Sequence, residues 1–201
     1  MSLINNSAET IYFTTTGTAK PFRPLTPDAI SIWCHTVQSV TEPLENNKVK
    51  VIRPFTSVKC GSPKCLLCGK DDPLWGRLTP HQQTNRSKQD VHFPKSKVHF
   101  LPILDLSTNK IKVIRGGART FESMAGWLTM QPQELRDLTR CQWQVWKTGA
   151  GLSTVYTMSR DDQTKFDITP ELTAEVALAM KQVDQDLSPN EQDLPFIIYP
   201  Q

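Results

Sequence analysis

Hydrophobic and polar positions alternate along several short runs of this chain, and a period of two marks strands buried on one face. From Ala29 to Val40 the alternation places Ile30, Ile32 and Cys34 on one side. A turn through Glu42-Pro43-Leu44-Glu45-Asn46-Asn47 follows. Lys48-Val49-Lys50-Val51-Ile52-Arg53 is then a second strand with basic outer positions, so the two predict a hairpin that leads through Phe55. Val98 to Leu104 and Lys110 to Arg115 bracket the polar turn Asp105 to Asn109 and predict a second hairpin, in which Pro102 marks an edge or a bulge. Cys141 to Lys147 and Leu152 to Met158 flank Thr148-Gly149-Ala150-Gly151 and predict a third. Within it Cys141, Trp143 and Val145 share one face, and Gln142, Gln144 and Trp146 share the other.

Two stretches carry the helical period instead. Ala118, Phe121, Met124, Ala125 and Leu128 predict a short amphipathic helix over 118–129 that packs on the core. Thr169-Pro170 reads as an N-cap followed by proline at the first helical position, and Leu172, Val176, Ala179, Met180 and Val183 form the apolar stripe of a second helix. Residues 1–29 read as an arm with one strand-like piece at Ile11-Tyr12-Phe13. Residues 69–97 are a long polar insertion, expected to be flexible. The organisation expected is therefore an N-terminal arm (1–29), a core over 30–160 that carries the insertion, and a helix with an acidic tail (161–201).

The net charge of +3 hides a division. Residues 47–120 hold 15 Lys+Arg against four Asp, whereas residues 161–201 hold two Lys against nine Asp+Glu. A basic body with an acidic tail suggests a polyanionic partner and a tail able to compete for the same surface. No apolar stretch approaches the length of a membrane span, so a cytoplasmic location is expected.

Three of the five cysteines, Cys60, Cys65 and Cys68, fall within nine residues as C-x4-C-x2-C among Gly, Pro and Lys. Thiolates this close in sequence can converge on one tetrahedral Zn²⁺, with C-x2-C as the tight knuckle of a structural site in a loop over 59–69. Buried cysteines serve elsewhere as small hydrophobes, but that role does not call for three of them in one turn-rich loop. The fourth ligand is expected from His35 or from its neighbour Cys34; adjacent residues of a strand point to opposite faces, so one of the two serves. His81, His92 and His99 read as solvated or strand residues.

These elements predict a mainly β protein with a few helices: an OB-like five-stranded barrel with a zinc-binding loop. Residues 98–158 run strand, strand, helix, strand, strand, as such barrels do around their third and fourth strands. Cations for phosphates and flat rings for unpaired bases are what single-stranded nucleic acid requires. The residues expected to meet it are Lys48, Lys50, Arg53, Trp75, Arg77, Phe100, Lys112, Arg115, Trp146, Lys147 and Tyr156. Trp33 and Trp143 add further rings. The carboxylates of the basic body, Asp71, Asp72, Asp90 and Asp105, are scattered through turns, and a closed Cys-rich metal set leaves no position for water; no catalytic residues and no enzymatic activity are expected. The rival reading is a zinc-ribbon transcription factor or RNA polymerase accessory subunit that binds duplex DNA and protein.

On three groups of residues the chain resembles the zinc-containing single-stranded-DNA-binding proteins of tailed phages, of the T-even replication type. They are Cys60, Cys65, Leu66, Leu67 and Cys68; His99 to Asp105 with Lys110 to Ile114; and Lys147-Thr148-Gly149-Ala150-Gly151-Leu152-Ser153-Thr154-Val155-Tyr156. The resemblance covers about residues 30–160. It implies an OB fold, structural zinc and cooperative coating of single-stranded DNA during replication, recombination and repair, in the host cytoplasm. It also implies self-association along DNA and an acidic C-terminal tail that recruits replication and recombination proteins.

Overall fold

The computed structural model describes residues 19–37, 39–53, 56–61, 65, 67–68, 77, 93–149, 155–162 and 167–188. The expected strand at Ile11-Tyr12-Phe13, Trp75, most of the 69–97 insertion, the Ala150 to Thr154 turn and the tail beyond Ser188 lie outside them. The chain is mainly β and antiparallel, and it divides into two compact units. One takes Lys97–Val183 with the described residues before Ile32; the other takes Ile32–Ser96 with the described residues from Asp184 on.

In the first unit, β1 (Lys20–Pro24) pairs with both β6 (Lys95–Asp105) and β8 (Gln142–Thr148). β6 pairs with β7 (Lys110–Gly116), and β8 pairs with β9 (Val155–Asp162). The run is β7-β6-β1-β8-β9, all antiparallel, and the sheet is open: among the described residues β7 and β9 do not pair. Residues 20–24, expected within the arm, are thus a central strand. Lys-Pro-Phe-Arg-Pro hides it, because two prolines remove amide donors. The strand tolerates them because its neighbours are offset: residues 22–24 meet β6 and residues 20–22 meet β8.

The alternation expected for β8 is present, with Trp143 and Val145 buried and Gln142, Gln144 and Trp146 half-buried on the other face. Trp143 and Val145 join Phe22, Leu101, Ile103, Ile114, Phe121, Met124, Leu138 and Met158 in one core. A 3-10 turn at Ala118–Phe121 leads into α1 (Glu122–Met130), which lies between β7 and β8 in sequence and gives Met124 to that core. β6 departs from alternation: Phe100, Leu101, Pro102 and Ile103 are all buried, as in a strand covered on both faces. α2 (Pro170–Leu187) starts at the expected cap, with the Leu172 amide donating to Thr169 Oγ1 at 3.3 Å. It runs to Leu187, so Asp184 and Asp186 belong to its last turn rather than to the tail.

In the second unit the expected hairpin is rearranged. β2 (Ile30–Val37) pairs with β5 (Thr56–Lys59), and β3 (Val40–Pro43) pairs with β4 (Val49–Arg53). One long run has broken into two nested ladders. Val37, Val58, Leu67 and Phe93 form a small core there, with Cys65 against it. No helix among the described residues is long and apolar enough to cross a membrane.

Candidate metal centre and nucleic-acid interface

The β2–β5 register decides which neighbour joins the cysteines. Cys34 lies opposite Lys59 and His35 opposite Val58. The Cys60 amide donates to the Trp33 carbonyl at 2.8 Å, continuing the ladder by one residue. Cys60 is thereby a diagonal neighbour of His35 on one face of the pair, whereas Cys34 is on the other. Buried Cys34 is not part of the cluster. The turn that brings back the other two thiols closes where the Cys68 amide donates to the Cys65 carbonyl at 3.3 Å, and buried Leu67 between them anchors it in the small core.

His35, Cys60, Cys65 and Cys68 place one donor atom each within 4.8 Å of all the others. Cys60 Sγ and Cys68 Sγ are 3.8 Å apart, and Cys68 Sγ is 3.4 Å from His35 Nε2. A tetrahedral ion with bonds of about 2.3 Å to sulfur and about 2.0–2.1 Å to nitrogen separates its donors by about 3.8 Å (S to S) and about 3.6 Å (S to N). The cluster could hold a metal ion, and its spacing and donor set are compatible with zinc. His35 Nδ1 lies 2.8 Å from the Phe93 carbonyl oxygen. A carbonyl only accepts, so Nδ1 carries the proton and the Nε2 lone pair faces the thiols, as an oriented imidazole ligand requires. Desolvation, then the hydrogen bonds that the Cys68 thiol makes to the Cys60 and Cys65 sulfurs and the proximity of their charge, push it up to about 11. Crowded thiols resist ionising together until a cation neutralises them.

The residues expected to meet nucleic acid fare unevenly. Lys48 and Lys50 are exposed at the β3–β4 end of the second unit, and Arg53 ends β4. Arg77 is exposed and paired to Glu42 at 3.4 Å. In the first unit Trp146 is half-buried on the polar outer face of β8, beside Gln142 and Gln144. Lys147 and Tyr156 are cross-strand partners on the opposite face, and Tyr156 packs on the core, so these three do not form one surface. Arg115 is half-buried, with its guanidinium 5.9 Å from the Phe100 ring.

Two expectations are corrected. Phe100 is 2% exposed and packs in the interior, because β6 is covered on both faces. Lys112 does not project to solvent: its ammonium is 2.8 Å from Oδ2 of buried Asp105 across the β6–β7 hairpin. Conversely, Trp33 belongs among the surface rings. It is 47% exposed, with the Lys95 ammonium 5.3 Å from its ring centre. The pattern of β2 held that signal, because Trp33 falls out of phase with Ile32 and Cys34.

Comparison with protein-family models, with curated proteins and with solved structures finds no match to this chain.

Proposed function

We propose that this chain is a zinc-stabilised single-stranded-DNA-binding protein. The observation that carries the reading is the strand path β7-β6-β1-β8-β9, with α1 between β7 and β8. In an OB barrel strand 1 lies between strands 2 and 4, strand 3 beside strand 2, strand 5 beside strand 4, and the helix between strands 3 and 4; many such barrels are partly open. The pairing of β1 with β6 and β8, of β6 with β7 and of β8 with β9 supports that reading, with the sheet left open.

His35, Cys60, Cys65 and Cys68 would hold the zinc. Four protein donors complete a tetrahedron, so the ion's work is to fix the loop, and no position remains for an attacking water. The chain is accordingly read as a binding protein and not an enzyme. In the second unit exposed Trp33 supplies ring area and Lys48, Lys50 and Lys95 supply cations, the pairing that single strands use. In the first unit half-buried Trp146 offers a ring on the outer face of β8. Acidic residues at the end of α2 and beyond would recruit replication and recombination proteins.

Titrating the protein with oligo(dT) while following tryptophan fluorescence tests the reading. Strong quenching whose affinity falls steeply with salt supports it. Tight duplex binding without quenching would instead support the transcription-factor reading, and cleavage of single strands with Mg²⁺ would overturn the non-enzymatic one.

A further inference from the structure

The first unit contains a cavity of about 240 Å³ between the β1–β2 connection, β6 and α1. Its floor is apolar, made by Phe121, Met124 and Leu138. Its polar lining is Asp28 and a Ser31–His99 pair, with Ser31 Oγ 2.9 Å from His99 Nδ1. The walls are pinned: the Leu25 amide donates to the Pro102 carbonyl and the Leu138 amide to the Pro27 carbonyl, both at 2.9 Å. Gly116, paired with His99, allows the third wall. A Cβ there would overlap the Thr120 side chain, so only glycine lets the 118–121 turn lie close enough to set Phe121 against the His99 ring, centroids 5.9 Å apart.

Preformed concavities with an apolar floor and a few convergent polar groups are where small ligands bind. This one is below the about 300–1,000 Å³ typical of drug-sized ligands, and it suits a single flat ring system. The Ser31–His99 pair offers both a donor and an acceptor whichever tautomer His99 adopts. One Asp28 oxygen accepts from the Ala29 amide at 2.7 Å, and the carboxylate suits an amino group at the rim. Lys97, two residues before His99 on the same strand face, and exposed Arg119 in the 118–121 turn add positive charge beside it. A ring with a polar, amino-bearing edge, tethered to an anionic backbone, answers all of these.

We propose that the cavity takes one unstacked nucleobase carrying an exocyclic amino group, cytosine or adenine, from a bound single strand. This site rests on the single-strand reading above and adds a base preference to it. Ala125 lines the cavity from the exposed side of α1, so Ala125→Trp fills the space without removing a core side chain. Wild type and Ala125→Trp are titrated with short oligo(dC) and oligo(dT), and circular dichroism checks their helix content. Wild type is expected to bind oligo(dC) about tenfold more tightly than oligo(dT), since one seated base contributes about five- to 150-fold. Ala125→Trp, and independently Asp28→Ala, which removes the acceptor at the rim, should bring the two affinities together while oligo(dT) binding stays as it was. Equal affinities in wild type, or a preference that both variants keep, would overturn the pocket and leave single-strand binding standing. No binding to either oligonucleotide would overturn both.

Discussion

Lys112→Met and Asp105→Asn, made singly and together, test whether Lys112 belongs to the fold or to the nucleic-acid surface. The side chains of Lys112 and Asp105 are 13% and 6% exposed. Asp105 Oδ1 also accepts from the Ser107 amide at 2.9 Å and hydroxyl at 2.5 Å. Burial opposes ionisation of Asp105, but the Lys112 ammonium and the Ser107 and Thr108 donors outweigh it and hold the carboxyl well below the usual carboxylate range. At an effective dielectric constant of about 20, unit charges as close as 2.8 Å attract by about 6 kcal/mol. Desolvation costs several kcal/mol per ion, so the intact pair contributes little net stability. Removing one partner is another matter and costs about 3–5 kcal/mol. Lys112→Met should lie in that range because it strands the carboxylate. Asp105→Asn should cost less, about 1–3 kcal/mol, because the freed ammonium can reach water and Asn still accepts from Ser107. The double variant should cost less than the sum of the singles by about 1–3 kcal/mol.

The pH dependence has a definite sign. A carboxyl whose folded pKa is depressed contributes its stability in full above the unfolded value of about 3.9 and loses it as pH falls toward the folded value. Urea unfolding followed by circular dichroism should therefore show wild type weakening below about pH 5, and Asp105→Asn should flatten that limb. A Lys112→Met variant that loses less than about 1 kcal/mol yet binds oligo(dT) with a shallower salt dependence would refute the reasoning and return Lys112 to the interface.

Zinc analysis of the purified protein should find one ion per chain, lost in Cys65→Ser and kept in Cys34→Ser; loss from both would mean that the β2–β5 register misassigns the fourth ligand. Zinc at about 100 times its Kd should add about 2.7 kcal/mol to stability, removable by a chelator, and uptake should weaken as pH falls because protons compete for the thiols. Gly116→Ala should destabilise by about 1–3 kcal/mol in urea, since its Cβ meets Thr120 at a pinned turn; an unchanged midpoint would show that the turn can move aside. Trp146→Ala should weaken oligo(dT) binding by about 1–3 kcal/mol, whereas core-packed Trp143 should contribute to stability rather than to fluorescence quenching.

What the sequence shows and what it hides follow from how far apart interacting residues lie. The three cysteines were legible because C-x4-C-x2-C is local, and the β6–β7 hairpin, α1, the alternation in β8 and the Thr169 cap were legible because each is set by one short, continuous stretch of chain. Choosing His35 over Cys34 needed the register against Val58 and Lys59, more than twenty residues on. β1 was missed because its composition describes an arm; only two offset partners, β6 and β8, make it a strand. Phe100 and Lys112 were both misassigned on the assumption that β6 and β7 have one wet face. Burial on both sides of β6 takes Phe100 out of solvent, and a carboxylate seven residues away takes Lys112. The same covering bears on function. On the proposed reading, with Phe100 and Lys112 withdrawn, the parts of the first unit that would meet a base are the outer face of β8 and the Ser31–His99 cavity. Of the β6–β7 hairpin, His99 lines that cavity, and Gly116 opposite it lets the 118–121 turn lie close.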